Sequence, residues 1–250
     1  MVRIAGVGMH KFGKFSEKSY IDLAEEAIRN ALDDAGVAWQ DTEALFHGNA
    51  LAGPLTGSNI MKRMGPNGAP IYNLEAYCVS SLAGLTQASD LIEAGTYDLV
   101  VVAGTEVQPR GYIPSPGDPK WVQQTGMAVL PAKGDSQLAQ RYMDLHDMSP
   151  EAMAKVGVKS KRNGALTPYS HYQNADITVE DVLDSPMVNT PIHLYEMSPP
   201  SDGGAAVVVA SDEKAAELGL EGDVSLEAIA QGSPTYEESR YPYPYSPLRK

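Results

Sequence analysis

The sequence predicts an α/β fold, in which a mostly parallel five-stranded sheet has helices on both faces and is interrupted by an inserted domain. Predicted strands and helices alternate over roughly the first hundred residues, which is the pattern of a parallel sheet. Residues 98–103 are too apolar on both sides for an exposed strand and indicate a strand buried between helix layers. The alternation stops near Gln108 and resumes at residues 205–210, an interval too long for an ordinary connection.

The first predicted helix carries signals at both of its ends. Apolar residues recur at helical spacing over residues 20–35, Ser19 can cap the first turn, and Gly36 can end the helix in a left-handed conformation. Around this helix we predict strands at residues 2–7 and 44–48, a loop at residues 9–16, and mostly loop at residues 51–70, which are rich in Gly, Pro and Asn.

Cys78 is the single cysteine of the chain, and it precedes a second amphipathic helix. The apolar stripe of that helix is predicted at Leu82, Leu85, Ala88 and Ile92, and Gly95 is the predicted stop. Unpaired backbone N–H groups at a helix start favour a thiolate, which can attack a carbonyl carbon. The alternative is that Cys78 is only a small buried apolar side chain, as lone cysteines commonly are.

The later part of the chain contains two clearer helices inside the interruption. One is predicted at residues 135–145, and the other at residues 149–163, where Ser149 precedes Pro150 in a typical helix opening. The sheet is then predicted to resume, with a strand at 205–210, a helix at 212–218 and a strand at 224–230. Residues 236–250 alternate tyrosine with proline, which favours an extended tail or linker over a helix, with a strap on a partner as the alternative.

Composition excludes several classes of protein. The net charge is −13, from 32 acidic and 19 basic residues, which argues against general nucleic-acid or membrane-surface binding. One cysteine excludes an internal disulfide framework and fits a reducing compartment. No signal peptide or membrane-length apolar run is evident, so we predict a cytoplasmic protein.

Four blocks of the sequence, in order, resemble the thiolase family. They are Cys78-Val-Ser-Ser-Leu-Ala-Gly-Leu85 with Val100-Val-Val-Ala-Gly-Thr-Glu106, then residues 150–163, residues 177–185, and Ser201-Asp-Gly-Gly-Ala-Ala-Val-Val-Val-Ala210. The later blocks are similar to the sterol-carrier-protein branch, also called lipid-transfer thiolases. The resemblance implies that Cys78 accepts the acyl group. It also implies a thiolase-like N-terminal α/β domain over residues 1–108 and 201–232, a loop domain over residues 109–200 that covers the active site and binds coenzyme A, and a tail over residues 233–250.

The same resemblance implies a second half that is not found in these residues. In thiolases that half supplies a histidine of an Asn/His-Glu-Ala-Phe motif, a Gly-His-Pro histidine and a Cys-x-Gly cysteine. The sequence contains no Gly-His dipeptide, no such Glu-Ala-Phe motif and no second cysteine. Because Claisen chemistry needs a base and oxyanion donors, we expect that a longer chain or a separate chain completes the site.

A basic cluster is the predicted coenzyme A contact. Lys155, Lys159 and Arg162 are spaced to share one face of a helix in an otherwise acidic chain, with Lys161 beside them. A polyanionic cofactor needs such a local patch, although a solvated helix face is the alternative. No metal site is predicted.

Other polar residues are predicted to be structural. Asp202 and Glu106 are expected to accept hydrogen bonds, with Glu106 near the cysteine loop, and His47 is expected in the core or at a sheet edge. His10, His146 and His193 are placed in loops or at the ends of elements, and His171 is the histidine that could approach a ligand.

The predicted function is acyl transfer to or from coenzyme A through a Cys78 acyl-enzyme, as 3-ketoacyl-CoA thiolysis or Claisen condensation. The lipid-transfer resemblance implies a bulky acyl group, such as a fatty or sterol side chain. One alternative is a retro-aldolase on a β-hydroxyacyl-CoA that works with a small OB-fold partner, and another is a non-catalytic acyl-CoA-binding scaffold. The resemblance also implies a homodimer paired through the sheet edge beside the Cys78 helix, or a heteromer with the completing half.

Overall fold

The computed structural model describes residues 1–108, 131–219 and 224–232, with the backbone alone for residues 131–135. It divides into two compact units. The first unit holds residues 1–10, 18–106 and the described residues from 204 onward, and the second holds residues 11–17 and the described residues between 107 and 203.

The elements of the first unit form one mixed sheet with three main helices. In chain order they are β1 (Val2–Gly13), α1 (Tyr20–Ala35), β2 (Ala44–Gly48), α2 (Thr56–Met64), β3 (Ile71–Leu74), α3 (Ser80–Glu93) and β4 (Leu99–Glu106). After the second unit come β7 (Asp202–Ser211), α7 (Asp212–Glu217) and β8 (Ser225–Leu226). The last few residues of β1 and the first two of β7 fall in the second unit.

The described sheet has six strands in the order β3-β2-β4-β7-β1-β8. Strand β2 is parallel to both of its neighbours, and its last residue, Gly48, is paired with Leu74 of β3 and Gly104 of β4. Strand β8 pairs antiparallel with β1. The carboxyl ends of β3, β2 and β4 therefore meet at one edge of the sheet, where the chain turns into α3.

Strand β4 is buried on both faces, as its composition predicts. Val101 and Ala103 pack in a core with α1 and α2, whereas Val100 and Val102 pack in a second core with Ala88 and Ile92 of α3. Successive side chains of a strand point to opposite faces, so an unbroken apolar run fills both cores. The α/β fold with helices on both faces of the sheet is confirmed.

The predicted ends of α1 are also confirmed. Ser19 caps the helix in a reciprocal capping box with Asp22, and Gly36 follows it with φ +67°. A side chain at that left-handed φ would be strained, which is why glycine stops the helix there. Gly95 plays the same part after α3, with φ +70°.

Several local predictions are wrong. Residues 51–70 are more loop than helix, but the prediction misses the nine-residue helix α2, which forms because Ile60, Met61 and Met64 bury against the sheet in spite of the surrounding glycines and prolines. Strand β1 continues through residues 9–13, where the sequence predicts a loop, and β8 covers only two residues of the predicted strand at 224–230. Strand β3 has no counterpart among the predicted strands, and the sheet formed by the described residues has six strands rather than five. Leu82 is exposed, and Gly84 and Ser80 take its predicted place in the buried face of α3.

The second unit contains helices and a small hairpin. Its elements are α4 (Pro131–His146), α5 (Pro150–Gly164), α6 (Val179–Asp184), β5 (Met187–Asn189) and β6 (Ile192–His193). Ala154 and Val158 of α5 pack with Ile177 and Val182 in a separate core. The Ser149 cap of α5 is confirmed, since its hydroxyl accepts the Ala152 N–H.

The predicted tail at 233–250 lies outside the described residues, as do residues 109–130 of the predicted loop domain. Within the residues that the structure does describe, no helix is both long and apolar enough to cross a membrane.

Candidate active site

Cys78 lies in a single 3-10 turn, Tyr77–Val79, immediately before the first residue of α3. Its side chain is exposed and is not in a disulfide. The placement at a helix start is therefore confirmed, and the alternative of a buried apolar cysteine is wrong. An exposed thiol at such a place can meet a ligand.

Ser80 holds the cysteine turn in shape. Its buried hydroxyl oxygen accepts the Ala76 N–H at 2.9 Å and donates to the Tyr77 carbonyl at 2.6 Å, with the Asn49 carbonyl 3.2 Å away. One hydroxyl thus ties together both sides of the turn and the chain that leaves β2. Because it fixes the backbone on each side of Cys78, Ser80 is a positioning residue for the thiol that the sequence does not single out.

Tyr77 adopts an unusual backbone conformation directly before the cysteine. Its φ of +54° lies in the left-handed region, which costs a non-glycine residue about 1 kcal/mol. The Tyr77 N–H is held by the Glu75 carboxylate at 2.8 Å. The left-handed residue reverses the chain sharply between β3 and α3, so the next residue, Cys78, projects outward.

Two glycines on neighbouring strands let the start of α3 lie directly on the sheet. A Cβ on Gly48 would stand 2.4 Å from the Ser81 nitrogen, and one on Gly104 would stand 2.7 Å from the Ser81 Oγ. Gly48 and Gly104 are register partners, so together they form a flat patch at the carboxyl ends of β2 and β4. Any larger side chain there would push the first turn of α3, and Cys78 with it, away from the sheet.

A buried polar network stands at the same edge of the sheet. His47 is fully buried, with Nδ1 2.9 Å from the Thr56 Oγ1 and Nε2 2.8 Å from the Thr105 Oγ1. Asn49 donates to the same Thr56 hydroxyl, and Asn73 accepts the Gly57 N–H at 2.7 Å. The network links β2, β3 and β4 to the start of α2, which confirms His47 as a structural residue.

Burial sets the charge state of His47. It lowers the pKa of His47 from 6.5 to about 4, because the imidazolium would lose its hydration in the core. The neutral ring has one donor and one acceptor nitrogen, and the two threonine hydroxyls satisfy both. His47 is therefore neutral near pH 7, and both of its ring nitrogens are engaged in hydrogen bonds of the network.

Glu106 and Asp202 are hydrogen-bond acceptors, as predicted. The Glu106 Oε2 accepts the Ala50 and Leu51 N–H groups at 2.8 and 2.9 Å, fixing the chain after β2. Asp202, in the second unit, accepts backbone N–H groups from Phe15 and Gln108 and pairs with Lys14 at 2.8 Å. Burial alone would raise the pKa of Asp202, but these three donors hold it below its ordinary value.

The predicted coenzyme A residues lie on α5 in the second unit. Lys155 and Lys159 are exposed on that helix. Arg162 is exposed too, but its guanidinium also donates to the Ile177 carbonyl at 3.0 Å, where it ties α5 to the chain before α6. Arg162 thus has a structural contact in addition to any ligand that it binds.

The second unit also contains a cavity of about 910 Å³ that the sequence does not reveal. Lys161, His171 and Glu196 are the basic or acidic residues that line it, and most other lining residues are apolar or aromatic. His171 is held in place, with Nδ1 2.7 Å from the Ser201 Oγ and its ring stacked on Tyr172. Within the described ranges no cluster of metal-ligating side chains occurs.

The remaining histidines are far from Cys78 in the sequence. His146 is the last residue of α4, and His193 is the last residue of β6, so both stand at element ends as predicted. His10 is buried in β1 rather than placed in a loop, because that strand is longer than its apolar pattern indicates.

The family is shown by comparison with known proteins. Residues 2–213 match the family model described as the N-terminal domain of thiolase, so the chain belongs to the thiolase family, as its motifs predict.

Within that family, the chain is similar to two curated relatives and to one solved structure, among others. An acetyl-CoA acetyltransferase of Methanothermobacter thermautotrophicus is 32% identical over 244 residues, covering 94% of this chain and 63% of that protein. Sterol carrier protein 2 of Gallus gallus is 30% identical over 227 residues, covering 85% of this chain and 41% of that protein. The solved structure of an Ltp2-ChsH2(DUF35) aldolase matches with a TM-score of 0.75 and 26% identity, over 86% of this chain and 57% of that one. The chain therefore spans less than two thirds of the length of each.

The glycine patch yields a stability prediction. Gly48→Ala forces a Cβ against the backbone of α3 and should lower the free energy of unfolding by about 1–3 kcal/mol. Gly84→Ala is the matched control, because its Cβ would meet neighbours at an ordinary 3.4 Å and alanine favours a helix by up to about 1 kcal/mol. Urea unfolding measures both variants. Equal stability of Gly48→Ala and the unmodified chain would contradict the close approach of α3.

The His47 network yields a pH prediction. The folded state keeps His47 neutral, whereas the unfolded state protonates it below about pH 6.5. The free energy of unfolding is therefore not reduced by His47 above pH 7, and it decreases as the pH falls toward 4. Between about pH 7.5 and about pH 5.5 this one group should remove about 1.3 kcal/mol of the free energy of unfolding. Urea unfolding of the unmodified chain and of His47→Gln at both pH values checks it. A pH dependence that is the same in the two proteins would refute the assignment.

Proposed function

We propose that this chain is the nucleophile-bearing part of a thiolase-type acyltransferase, in which Cys78 carries the acyl group during transfer to or from coenzyme A. The observation that carries the proposal is an exposed thiol at the start of α3, fixed by Ser80 and by the Gly48–Gly104 patch at the carboxyl ends of parallel strands. Ligands of open α/β sheets bind outside the carboxyl ends of the strands. Family membership and the acetyl-CoA acetyltransferase relatives support the same chemistry.

The proposed reaction proceeds in two steps. In the first, the Cys78 Sγ attacks the thioester carbonyl, a tetrahedral oxyanion forms, and the bond to the coenzyme A sulfur breaks, leaving an acyl-cysteine thioester. The proton lost by Cys78 goes, through a base, to the departing sulfur. In the second, an acyl-CoA carbanion attacks the acyl-cysteine carbonyl and the bond to the Cys78 Sγ breaks, which completes a Claisen condensation. Thiolysis runs the condensation in reverse: the Cys78 Sγ attacks the 3-keto carbon, the C2–C3 bond breaks, and its electron pair takes a proton to release the shortened acyl-CoA. A coenzyme A thiol then accepts the acyl group from Cys78.

One oxyanion donor can come from the cysteine turn itself. The two hydrogen bonds that close the turn are donated by the Val79 and Ser80 N–H groups, so the turn does not use the Cys78 N–H. We assign that N–H to the developing oxyanion.

The second oxyanion donor and the catalytic base are assigned to a completing half of the thiolase type. Neither histidine described in the first unit suits the role of base. His47 is buried in its network with both ring nitrogens engaged, and His10 is buried beside Lys18. We therefore assign a histidine base for Cys78 to residues beyond those that the structure describes in this unit.

The coenzyme A phosphates are assigned to the basic face of α5. Lys155 and Lys159 are exposed one helical turn apart, and Arg162 follows them on the same helix. Cations grouped in this way attract a polyanion in spite of a net charge of −13. The sterol carrier protein relative supports a bulky acyl group, such as a fatty or sterol side chain, and a cytoplasmic location remains part of the proposal.

A homodimer, or a heteromer with the completing half, is the proposed assembly. Strand β3 is the edge of the described sheet and is paired on one side only, with β2. An unpaired edge is a ready surface for association, and β3 leads directly into the cysteine turn.

A retro-aldolase is the second candidate function. It is favoured by one observation, the likeness to the Ltp2-ChsH2(DUF35) aldolase. In that case the chain would help to cleave a β-hydroxyacyl-CoA together with an OB-fold partner, and Cys78 need not react.

The acylation of Cys78 is directly testable. Intact-mass spectrometry after incubation with acetyl-CoA or a long-chain acyl-CoA should show one added acyl group, removable by hydroxylamine, because a thioester is cleaved by that reagent. Cys78→Ser should abolish the adduct, since the hydroxyl is a far weaker nucleophile. Retro-aldol cleavage that survives Cys78→Ser, with no adduct on the unmodified chain, would replace the acyltransferase by the aldolase. Tight acyl-CoA binding with neither activity, in the presence of the completing half, would favour a scaffold.

The coenzyme A contact is tested by charge removal. The double change Lys155→Gln and Lys159→Gln should weaken coenzyme A binding about tenfold at low salt and should weaken dephospho-CoA less, because the phosphates supply the attraction. Lys62→Gln, an exposed lysine of α2, is the control and should leave binding unchanged. Calorimetric titration at two salt concentrations measures the effect. Identical affinities in all three proteins would place coenzyme A elsewhere.

A further inference from the structure

The cavity of the second unit has the size and lining of a small-molecule site. At about 910 Å³ it lies between α4, α5 and the chain after β6. Four carbon rings line it, from Phe12, Tyr142, Tyr172 and Tyr195. Three thioethers, from Met148, Met153 and Met197, line it as well. Sulfur and aromatic faces pack favourably on flat rings, so this lining suits a ring-containing apolar group.

Lys161 places a positive charge inside that cavity. Its Nζ lies 5.6 Å from the centroid of the Tyr172 ring and 5.5 Å from that of Tyr195, so two aromatic faces hold the ammonium group between them. Attraction by ring faces fixes the position of a cation without using its N–H donors. The ammonium therefore points at the cavity with its hydrogen-bonding capacity available.

Two other lysines show what Lys161 lacks. Lys14 pairs with a carboxylate at 2.8 Å and Lys214 with another at 3.1 Å. Across the described part of the chain, by contrast, no carboxylate forms an ion pair with Lys161. Glu196 also lines the cavity, but its Oε2 is engaged by the His193 N–H at 2.6 Å. A partly buried ammonium without an anion is a site that an anionic ligand group would complete.

We propose that this cavity binds an acyl group that carries both a ring and a carboxylate, and that Lys161 is the specificity-determining residue that pairs with the carboxylate. The ring would lie among the tyrosines and methionines, and the carboxylate would accept hydrogen bonds from the Lys161 Nζ. The inference rests on the proposed function, since it names the substrate class of the same protein: coenzyme A thioesters of ring-containing dicarboxylic acids.

A coenzyme A phosphate is a less suitable partner for Lys161 than a carboxylate on a ring. A phosphate is strongly hydrated and suits the exposed lysines of α5, whereas the lining around Lys161 is mostly carbon and sulfur. The two anions are separable by experiment, because a pantetheine thioester has the reactive arm of coenzyme A without its nucleotide phosphates.

The test compares two matched ligands by calorimetric titration. They are the pantetheine thioesters of 4-carboxyphenylacetic acid, joined through its acetic carboxyl, and of 4-methylphenylacetic acid, which has a methyl group in place of the ring carboxylate. Every protein is the full chain with Cys78→Ser, so that the ligand is not consumed. Lys161→Met keeps the apolar stem and removes the charge, Lys161→Arg keeps the charge, and Lys62→Met removes a charge from the first unit.

Lys161→Met should weaken binding of the carboxylate ligand about tenfold or more and change the affinity for the methyl ligand less than about twofold. Only the carboxylate ligand loses a charge-assisted hydrogen bond. Lys161→Arg should retain the preference for the carboxylate, and Lys62→Met should bind as the parent does. An equal loss of affinity for both ligands in Lys161→Met, with an unchanged thermal unfolding curve, would show that Lys161 only packs in the cavity and would overturn the proposal. So would a parent that binds the two ligands equally, or neither of them.

Failure here is distinguishable from failure of the proposed function. If Cys78 is acylated by acyl-CoA but Lys161→Met leaves the ligand preference intact, the substrate class is wrong and the acyl transfer stands. If the preference depends on Lys161 but Cys78 takes up no acyl group, the cavity assignment stands and the transferase proposal does not.

Discussion

The first turn of α3 rests on the sheet with no side chain beneath it, and the geometry around Cys78 depends on that contact. Gly48 and Gly104 are register partners on β2 and β4, and each would clash with Ser81 if it carried a Cβ. Ser80 then anchors the turn through its hydroxyl. Gly48 meets the backbone of Ser81 and Gly104 meets its short side chain, so the start of α3 lies close to both strands and the Ser80 hydrogen bonds fix the turn that carries the thiol.

Polar groups at the carboxyl ends of the strands surround this contact and are hydrogen-bonded among themselves. His47, Thr56, Thr105 and Asn73 satisfy one another at the carboxyl ends of the strands, and Glu106 holds the chain that leaves β2. A satisfied buried network makes a local frame rigid, whereas an unsatisfied one would be costly. The His47 network is satisfied in this way, whereas the second Glu106 carboxyl oxygen, Oε1, is buried without a hydrogen-bond partner among the described residues. The exposed Cys78 thiol remains the group suited to nucleophilic chemistry.

The family and the architecture are predictable from local patterns, because strong signals lie close together in the chain. The Ser19 cap, the Gly36 and Gly95 stops and the two-faced apolar run of β4 each depend on a few adjacent residues. Helix α2 escapes prediction because its glycines and prolines indicate loop, and only burial of its apolar stripe against the sheet stabilises it. The short edge strand β3 escapes prediction because pairing with β2, a long-range contact, defines it.

The sequence by itself determined the thiolase fold and the position of Cys78 at a helix start, since both follow from local spacing and residue type. Only the tertiary structure decided that the thiol is exposed, that two distant glycines support it, and that Lys161 rather than the other basic residues of α5 lines a cavity. All three features depend on residues brought together from separate elements. Helical spacing alone does not tell which side of a helix other elements will cover.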